Sequence, residues 1–479
     1  MNWEALLSTQ KLAQEEEEPG EFRNYPINEF EKDYNKIVSS AAFRRLQDKT
    51  QVFPLDRSDF IRTRLTHSIE VSTIARQLGI MISQNHTQYR PEDIDENAAE
   101  GIASVLLCAG LLHDLGNPPF GHFGETTIGD WFKENLSKIQ YKGAPVEEYL
   151  TDQMVKDLEN FEGNAQALRI LLKARNNSEV NLSYAIISTL VKYPTSSLSF
   201  SDEDSDIKKH KLGFFSSEQS VFQNIANTLG TIDEDGNLCR HPLAFMLEAA
   251  DDIAYSTADL EDAFKKRLFT LDEFIAFFKS FYDPNNVDRN SPTHYSDVLI
   301  RDLESRRGEV HTVAGDATAF KSWLNYTRRW LMYVAVYRFS RSYREIMAGT
   351  YTNDLFYGTN HSLTIKILKK AMGKFAFNTS GILKLELSAR SILSFLLNSF
   401  VHAVLYYDYE DPDNHYVPSK ADNKLLSIFS ENYKQDYENA KTGDEKYDLY
   451  LRLLMVTDYI SGMTDSYART LYRELSGIE

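Results

Sequence analysis

The sequence has few cysteines, no excess of positive charge and little strand-like alternation. Cys108 and Cys239 are the only two cysteines in 479 residues, which is too few for a disulfide framework and fits a reducing compartment. Lys and Arg total 52 against 70 Asp and Glu, giving a formal net charge of −18. A field of that sign opposes general binding to nucleic acid or anionic membranes, although it leaves room for a local basic pocket.

Long apolar runs and a secretory leader are also missing. Apolar stretches such as residues 102–112 are too short to span a bilayer. Residues 15–18 are four glutamates, where a secretory signal would have a basic region followed by an apolar one. We therefore expect a soluble, cytoplasmic protein with no membrane association. The length allows one large core or two to three subdomains.

Apolar residues recur at steps of three or four through most of the chain, as in Ile102, Val105, Leu106, Ala109 and Leu112. This period predicts amphipathic helices. Alternating runs are short, and the best candidates are a strand at residues 50–53 and a hairpin around residues 233–237. The pattern predicts an all-α fold with a few short hairpins, with polar linkers at residues 201–212, 283–295 and 407–423.

The adjacent pair His113 and Asp114 is the strongest chemical signal. It offers an imidazole nitrogen and a carboxylate oxygen to one divalent ion, a donor set that suits Mn, Fe, Co, Ni or Mg better than a thiolate-bound zinc. Further ligands are needed, and His67 and the pair Asp251-Asp252 supply candidates. Spacing alone does not choose between the two aspartates.

These candidates fall on three predicted helices. His67 lies near the start of a helix that runs to Ser83, and the His-Asp pair closes a helix that begins near Glu96. Asp251 lies within a helix entered after Pro242. Ligands from three helices that converge on one ion are a common way for helical bundles to build a metal site.

His122 and Glu125 follow the His-Asp pair and lie three residues apart, on one face of a predicted helix. A histidine can transfer a proton near neutral pH, and a carboxylate one turn away can orient it. Arg64 precedes His67 by three residues, and an arginine there can clamp a phosphate through two parallel hydrogen bonds.

Several segments together resemble the bacterial deoxyguanosine triphosphate triphosphohydrolases of the HD-domain phosphohydrolase superfamily, whose metal residues follow the order H…HD…D. The similar segments run in family order from about residue 33 to 468 and cover nearly the whole chain. Asn117 stands where some relatives have a second histidine, which indicates the bacterial dGTPase branch. The segments are residues 42–53, 62–71, 113–125, 161–169, 190–194, 211–218, 248–261 and 458–465.

The resemblance implies an HD-domain helical bundle that hydrolyses dGTP, or dNTPs more widely, to deoxynucleoside and inorganic triphosphate with Mn²⁺ or Mg²⁺. It also implies a role for each matching residue. The metal ligands would be His67, His113, Asp114 and Asp251, the catalytic pair His122 and Glu125, and the substrate contacts Gln51, Arg64, Lys192, Lys211, Tyr255 and Asp259.

The expected organisation is an acidic N-terminal segment (residues 1–32), an HD core (33–282) and a C-terminal helical region (283–479) that completes the site and makes oligomer contacts. The resemblance implies a homo-oligomer, either a tetramer or a hexamer, and a nucleotide effector. Arginines near residues 328–344 are candidates for either contact, and a plain exposed helix face explains them equally well. Single-stranded DNA remains a candidate partner that the net charge does not favour.

Two other functions fit the same residues. One is another HD nucleotide phosphohydrolase, such as a nucleoside monophosphate phosphatase or a cyclic-nucleotide phosphodiesterase. The other is a nucleotide-sensing module whose catalytic site has decayed, which the intact metal residues and the His122–Glu125 pair argue against. Release of inorganic triphosphate would distinguish the first expectation from both alternatives.

Overall fold

The computed structural model describes residues 1–13, 28–53, 60–89, 94–173, 180–201, 203–283, 291–307, 312–377, 380–409 and 418–478. These residues are predominantly helical, which confirms the all-α prediction. The helices of the first half are α1 (Trp3–Leu6), α2 (Glu29–Ser39), α3 (Ala41–Arg44), α4 (Arg64–Tyr89), α5 (Glu96–Leu112), α6 (Gly121–Asn135), α7 (Asp152–Glu159), α8 (Gly163–Lys173), α9 (Tyr184–Leu190), α10 (Gln219–Leu229) and α11 (Pro242–Ala254).

The second half continues in the same way, and two π-helical turns interrupt it at Tyr255–Asp259 and Gly373–Phe377. Short 3₁₀ turns lie at Arg45–Asp48, Val146–Tyr149 and Ile207–Lys209. The remaining helices are α12 (Leu260–Lys265), α13 (Leu271–Lys279), α14 (Pro292–Arg307), α15 (Val313–Arg341), α16 (Tyr343–Ala348), α17 (Ser362–Met372), α18 (Ser380–Val404), α19 (Lys420–Ile428), α20 (Glu431–Ala440), α21 (Glu445–Ser461) and α22 (Asp465–Ser476).

Strand structure at the two predicted positions is smaller than expected. The two predicted positions each contain one isolated bridge, Thr50 with Thr63 and Ile232 with Leu238. A two-stranded antiparallel hairpin, which the sequence analysis missed, pairs β1 (Gln140–Tyr141) with β2 (Ala144–Pro145). Both residues of its turn, Lys142 and Gly143, have positive φ angles, as a two-residue type I′ hairpin turn requires. Lysine is uncommon in such a turn, so the sequence signal was weak.

The three helices that carry the candidate metal ligands begin where the sequence indicates. Helix α4 starts three residues before His67 and continues past Ser83 to Tyr89. Helix α5 starts at Glu96, where the Asp95 side chain accepts a hydrogen bond from the backbone N–H of Ala98. Two predicted linkers end earlier than expected, because α14 begins within residues 283–295 and α19 within residues 407–423.

Helices α4 and α5 form the centre of the larger core and pack unusually closely. A Cβ on Gly110 would lie 2.4 Å from the Cα of Ser72, so only glycine allows this approach. Leu78, Ile82 and Leu106 are fully buried around it. The close crossing holds the start of α4 beside the end of α5, where His67 and His113 lie.

A second buried cluster joins α6 to the C-terminal helices α18 and α21 and includes Phe132, Leu396, Phe400 and Leu453. Helix α18 contains an apolar stretch, Ile382–Val404, of 23 residues with a mean hydropathy of 1.3. The expectation that no apolar stretch is long enough to cross a bilayer is therefore wrong for this helix. Half of its apolar stretch is buried against α6 and α21, as in the core helix of a globular protein.

A buried ionic cluster attaches α21 to α8. Arg169 donates to both carboxylate oxygens of Asp458 at 2.9 and 3.0 Å, and Gln166 donates to the same group at 2.8 Å. Burial would raise the pKa of Asp458, but Arg169 and Lys173 outweigh it and lower the pKa to about 2. The cluster thus fixes α21 against α8. The domain boundaries at residues 32 and 282 stay predictions.

Candidate metal centre and active site

Three of the four candidate ligands form a compact cluster. Ligand atoms of His67, His113 and Asp251 all lie within 4.8 Å of one another. The Oδ1 atom of Asp251 lies 3.4 Å from Nε2 of His67 and 3.6 Å from Nε2 of His113. Asp252 turns away and pairs with Lys369 at 2.7 Å. The structure therefore places Asp251 at the cluster, a choice that spacing alone left open.

Asp114 lies at the edge of this cluster and also holds other side chains. Its Oδ2 atom is 3.5 Å from Nε2 of His113 and accepts a hydrogen bond from Arg64 at 2.6 Å. Its Oδ1 atom accepts a hydrogen bond from the Asn117 amide at 2.5 Å. Burial would raise the pKa of Asp114, but Arg64 and the two histidines lower it to about 2. The carboxylate therefore stays ionised and available to a cation.

The hydrogen bonding of His113 fits a metal ligand. Its Nδ1 atom lies 2.9 Å from the carbonyl oxygen of Gly110, so Nδ1 carries the proton and Nε2 presents a lone pair. Burial lowers the pKa of His113 and favours this neutral form. Nε2 is buried and has no hydrogen-bond partner among the described residues. A buried acceptor beside two carboxylates is explained if a cation occupies the space between them.

Two cations hold the carboxylates of the cluster in place. Lys192 donates to Oδ2 of Asp251 at 2.7 Å, and Arg64 donates to Asp114 as described above. Burial opposes the charged form of Lys192, but Asp251 outweighs burial and raises the pKa of the lysine. Both side chains are more than nine-tenths buried. The structure thus concentrates positive charge next to the candidate metal ligands, despite the acidic composition of the whole chain.

The His122–Glu125 pair forms as its spacing suggests. His122 Nδ1 lies 2.8 Å from Oε2 of Glu125, and Oε1 of Glu125 accepts the backbone N–H of Gly163 at 2.8 Å. Glu125 is buried, whereas the His122 side chain is 83% exposed, so its Nε2 atom is open to a substrate. The hydrogen bond to Glu125 raises the pKa of His122. The catalytic role of the pair stays a prediction.

Of the six candidate substrate contacts, Gln51, Arg64 and Tyr255 line a cavity of about 530 Å³ next to His122. Tyr255 lies on the first π-helical turn, and its ring stacks on Phe377 at a centroid distance of 6.4 Å. The other walls come from α6 and α18, through Phe123, Thr126, Ile382, Leu385, Glu386 and Ala389. A larger groove of about 950 Å³ between α2, α4 and α5 shares none of these residues.

The other three candidates pair with protein groups. Lys192 contacts Asp251, while Lys211 lies 3.1 Å from Oε1 of Glu162. Asp259 accepts a hydrogen bond from Gln51 at 3.3 Å, and burial raises its pKa to about 7. These residues surround the cluster and the His122–Glu125 pair, and their substrate contacts stay predictions.

The sequence predicts that the C-terminal region completes the site, but it does not identify which residues of that region line this cavity. Phe377 and Glu386 come from a segment more than 250 residues beyond His122, and no motif sets them apart. An apolar or acidic residue on an amphipathic helix has the same pattern whether it lines a core, a cavity or the surface. Glu162, which holds Lys211, lies in a segment that the resemblance includes but to which it assigned no role.

The arginines considered as contact residues differ among themselves. Arg328 points inward, where its guanidinium donates to Oγ1 of Thr257 in the π-helical turn at 3.1 and 3.2 Å. Arg341 donates to the exposed Tyr337 on the same helix, α15, at 3.2 Å. Arg328 is therefore placed to support the Tyr255–Asp259 turn, and the hypothesis of an oligomer contact or effector pocket stays a prediction.

Comparison with known proteins shows the family of the chain. The HD domain family model matches residues 64–190, which run from α4 to α9. A deoxyguanosinetriphosphate triphosphohydrolase-like protein of Listeria monocytogenes is 40% identical over the full length of both chains. One from Pseudomonas aeruginosa is 32% identical over all of this chain and 99% of its own. The deoxyguanosinetriphosphate triphosphohydrolase of Yersinia enterocolitica is 30% identical over 94% of each chain. The chain belongs to the deoxyguanosinetriphosphate triphosphohydrolase family of HD-domain hydrolases.

Proposed function

We propose that this protein is a metal-dependent triphosphohydrolase that cleaves dGTP into deoxyguanosine and inorganic triphosphate. The main support is the position of the His67, His113 and Asp251 cluster, which lies beside two buried cations. The full-length similarity to relatives named for this reaction supports the substrate. A different HD nucleotide hydrolase would need the same metal residues. That alternative does not account for the full-length similarity to relatives named for dGTP hydrolysis.

The four residues His67, His113, Asp114 and Asp251 would hold one divalent ion. Two imidazole nitrogens and two carboxylates form a mixed donor set that suits Mn²⁺ or Mg²⁺ and is also compatible with Fe, Co or Ni. When bound, such an ion polarises a phosphoryl oxygen and lowers the pKa of bound water. The orphaned Nε2 atom of His113 supports this assignment.

Arg64 and Lys192 would bind phosphate oxygens of the substrate. Each lies against a carboxylate of the cluster, so each can contact a phosphate placed there without a large movement. The planar guanidinium of Arg64 can hold two oxygens at once, whereas the lysine acts as a point charge. Together they would neutralise charge on a triphosphate and orient its α-phosphorus towards water.

His122 would protonate the 5′ oxygen as it leaves. Its Nδ1–H is held by Glu125, so the proton available for transfer is on the exposed Nε2 atom. The raised pKa of His122 keeps more of the acid form near neutral pH. Water adds to the α-phosphorus and loses one proton to the solvent, the bond from phosphorus to the 5′ oxygen breaks, and this oxygen takes the His122 proton. His122 then regains a proton from the solvent.

The cavity walls would select the base. Phe377 and Tyr255 offer aromatic faces, and Glu386 brings a carboxylate to the same cavity. A carboxylate can accept both N1–H and the N2 amino group of guanine, whereas adenine has no proton on N1. We propose that Glu386 favours guanine over adenine by this pairing.

The test is to incubate purified protein with Mn²⁺ or Mg²⁺ and each of the four dNTPs, alone and in pairs, while triphosphate release is followed. We expect deoxyguanosine and inorganic triphosphate in equal amounts. The same protein is also incubated with dGMP and with a cyclic nucleotide. Release of orthophosphate from dGMP, or ring opening of the cyclic nucleotide, without triphosphate release from any dNTP would favour the other HD hydrolases. Nucleotide binding without hydrolysis would support a sensing module instead.

The protein would be cytoplasmic and would assemble as a homo-oligomer, a tetramer or hexamer, with nucleotide effectors acting through differential binding. Light scattering across a dilution series, with and without dNTP, tests assembly. A monomer that is fully active at every concentration would contradict it.

A further inference from the structure

Asp465, at the start of α22, lies far from the candidate ligands in sequence but contacts two segments of the active site. Its Oδ1 atom accepts the backbone N–H of Phe120 at 2.9 Å, and its Oδ2 atom accepts the backbone N–H of Thr50 at 3.1 Å. The Thr50 hydroxyl also donates to Oδ2. The aspartate is 2% exposed. One buried carboxylate thus joins the segment before Gln51 to the turn before His122.

The turn that Asp465 holds has an unusual backbone. Phe120 has φ of 65° and Gly121 has φ of 63°, so two successive residues adopt the left-handed conformation. For a non-glycine residue this conformation is strained and persists where surrounding contacts fix it. His122 follows directly, in the first turn of α6. The hydrogen bond from the N–H of Phe120 to Asp465 therefore helps to fix the backbone position from which the His122 side chain extends.

The same turn also allows Arg64 to approach closely. A Cβ on Gly121 would lie 2.7 Å from an Nη atom of Arg64. A change in the backbone at Phe120 would therefore alter the space next to Arg64 as well as the position of His122. The conformation of this turn links the candidate proton donor to a candidate phosphate contact.

Hydrogen bonds from Lys49 connect the same three parts of the chain: the segment before Gln51, the loop before His122 and the C-terminal helices. The buried ammonium of Lys49 donates to the carbonyl oxygens of Asn117 at 2.6 Å and Ser461 at 2.7 Å. Lys49 precedes Thr50, Asn117 lies in the loop before Phe120, and Ser461 ends α21. Burial lowers the pKa of Lys49, and burial raises that of Asp465. Both groups are thus buried at a cost that these bonds offset.

We propose that Asp465 is a positioning residue for catalysis: by holding the Phe120–Gly121 turn against Thr50, it places His122 against the substrate. The proposal rests on the proposed function, because His122 must act on the reaction for its position to matter. It assigns a role to the C-terminal segment 458–465, whose resemblance to the family carried no function.

The test is a double-mutant cycle on the full-length protein. Asp465→Asn keeps the size of the side chain but presents an NH₂ group to one of its two backbone donors. We expect kcat for dGTP to fall by about 10²-fold, as for a misplaced catalytic group, with KM changed by less than about threefold. In a His122→Ala background the same substitution should change kcat by less than about twofold, because Asp465 acts on kcat through His122. The effects of two substitutions that act through one residue are not additive.

The matched control is Asp157→Asn. Asp157 is also a fully buried carboxylate, and it joins α7 to the C-terminal helix α21. It accepts hydrogen bonds from the backbone N–H of Ser216 at 2.7 Å and from the hydroxyl of Tyr450 at 2.5 Å. It contacts neither active-site segment among the described residues. We expect a lower melting temperature for this variant and a kcat within about twofold of the parent.

The outcomes separate this proposal from the proposed function. A parent protein that releases no triphosphate contradicts the proposed function itself. If the parent is active and the folded Asp465→Asn variant keeps the parental kcat, the positioning role alone is overturned. The same holds if the substitution lowers kcat by the same factor in the His122→Ala background as in the parent. If Asp465→Asn does not fold, Lys49→Met is measured in the same cycle, and additive losses there would overturn the proposal.

Discussion

Replacing Glu125 with Gln should move the pH dependence of catalysis as well as its rate. Glu125 accepts from His122 Nδ1 with one oxygen and from the Gly163 N–H with the other, both at 2.8 Å. A glutamine has one carbonyl oxygen for these two donors. If that oxygen keeps the Gly163 bond, the amide NH₂ donates to the lone pair of Nδ1. The protonated imidazolium is then disfavoured, because its Nδ1–H would face another donor.

The size of the effect follows from these contacts. The hydrogen bond and charge of Glu125 are the main causes that raise the pKa of His122 above its usual value near 6.5. In the parent the protonated, active form persists until the pH rises through this raised pKa. In Glu125→Gln the rate should begin to fall at a lower pH, and kcat should drop by roughly 10²–10⁴, the usual contribution of general acid–base catalysis.

The assay is kcat for triphosphate release from dGTP between about pH 5 and 9, at saturating Mn²⁺ and substrate. Asp130→Asn, on an exposed part of the same helix, should leave both the rate and the pH profile unchanged. A Glu125→Gln enzyme with lower kcat but the same descending limb would refute the view that Glu125 controls the His122 proton. A loss seen only in KM would make His122 a substrate contact.

Three further predictions follow from the site and its support. Asp114→Ala should remove bound metal and activity but leave the fold intact, and normal metal content in the purified variant would contradict the ligand assignment. Asp458→Asn should lower the free energy of unfolding by about 3–5 kcal/mol in denaturant titrations, because Arg169 and Lys173 lose their buried partner. Since the pKa of Asp458 is lowered to about 2, the stability that it contributes should be present above about pH 4 and lost as the pH falls towards 2. Glu386→Gln should reduce the preference for dGTP over dATP by about tenfold or more in kcat/KM, and an unchanged ratio would exclude its role in base selection.

The convergence of the candidate ligands could be predicted because the relevant signals are local. Gly116 and the following prolines prevent α5 from continuing beyond His113, which caps its end at Leu112, and Pro242 starts α11 ahead of Asp251. Helical periodicity then places these side chains on defined faces. Spacing alone does not choose between Asp251 and Asp252, because neighbours on a helix point about 100° apart. The resemblance favours Asp251, and in the structure Asp251 lies at the cluster while Asp252 pairs with Lys369.

Contacts between distant segments could not be predicted in the same way. The bond from Phe120 to Asp465 joins residues 345 positions apart, and no periodic pattern encodes such a pairing. The apolar period of α18 shows that the helix has a buried side, but it does not distinguish the core residue Leu396 from the cavity residue Leu385. Tertiary packing decides which side chains enter the site.

In the proposed reaction, water attacks the α-phosphorus and the 5′ oxygen leaves with a proton supplied by the protein. Hydrolysis of dGTP in water enriched in ¹⁸O, with mass analysis of both products, shows which bond breaks. We expect one ¹⁸O atom in the inorganic triphosphate and none in the deoxyguanosine. Labelled deoxyguanosine, or dGMP with pyrophosphate as the products, would contradict the proposed reaction.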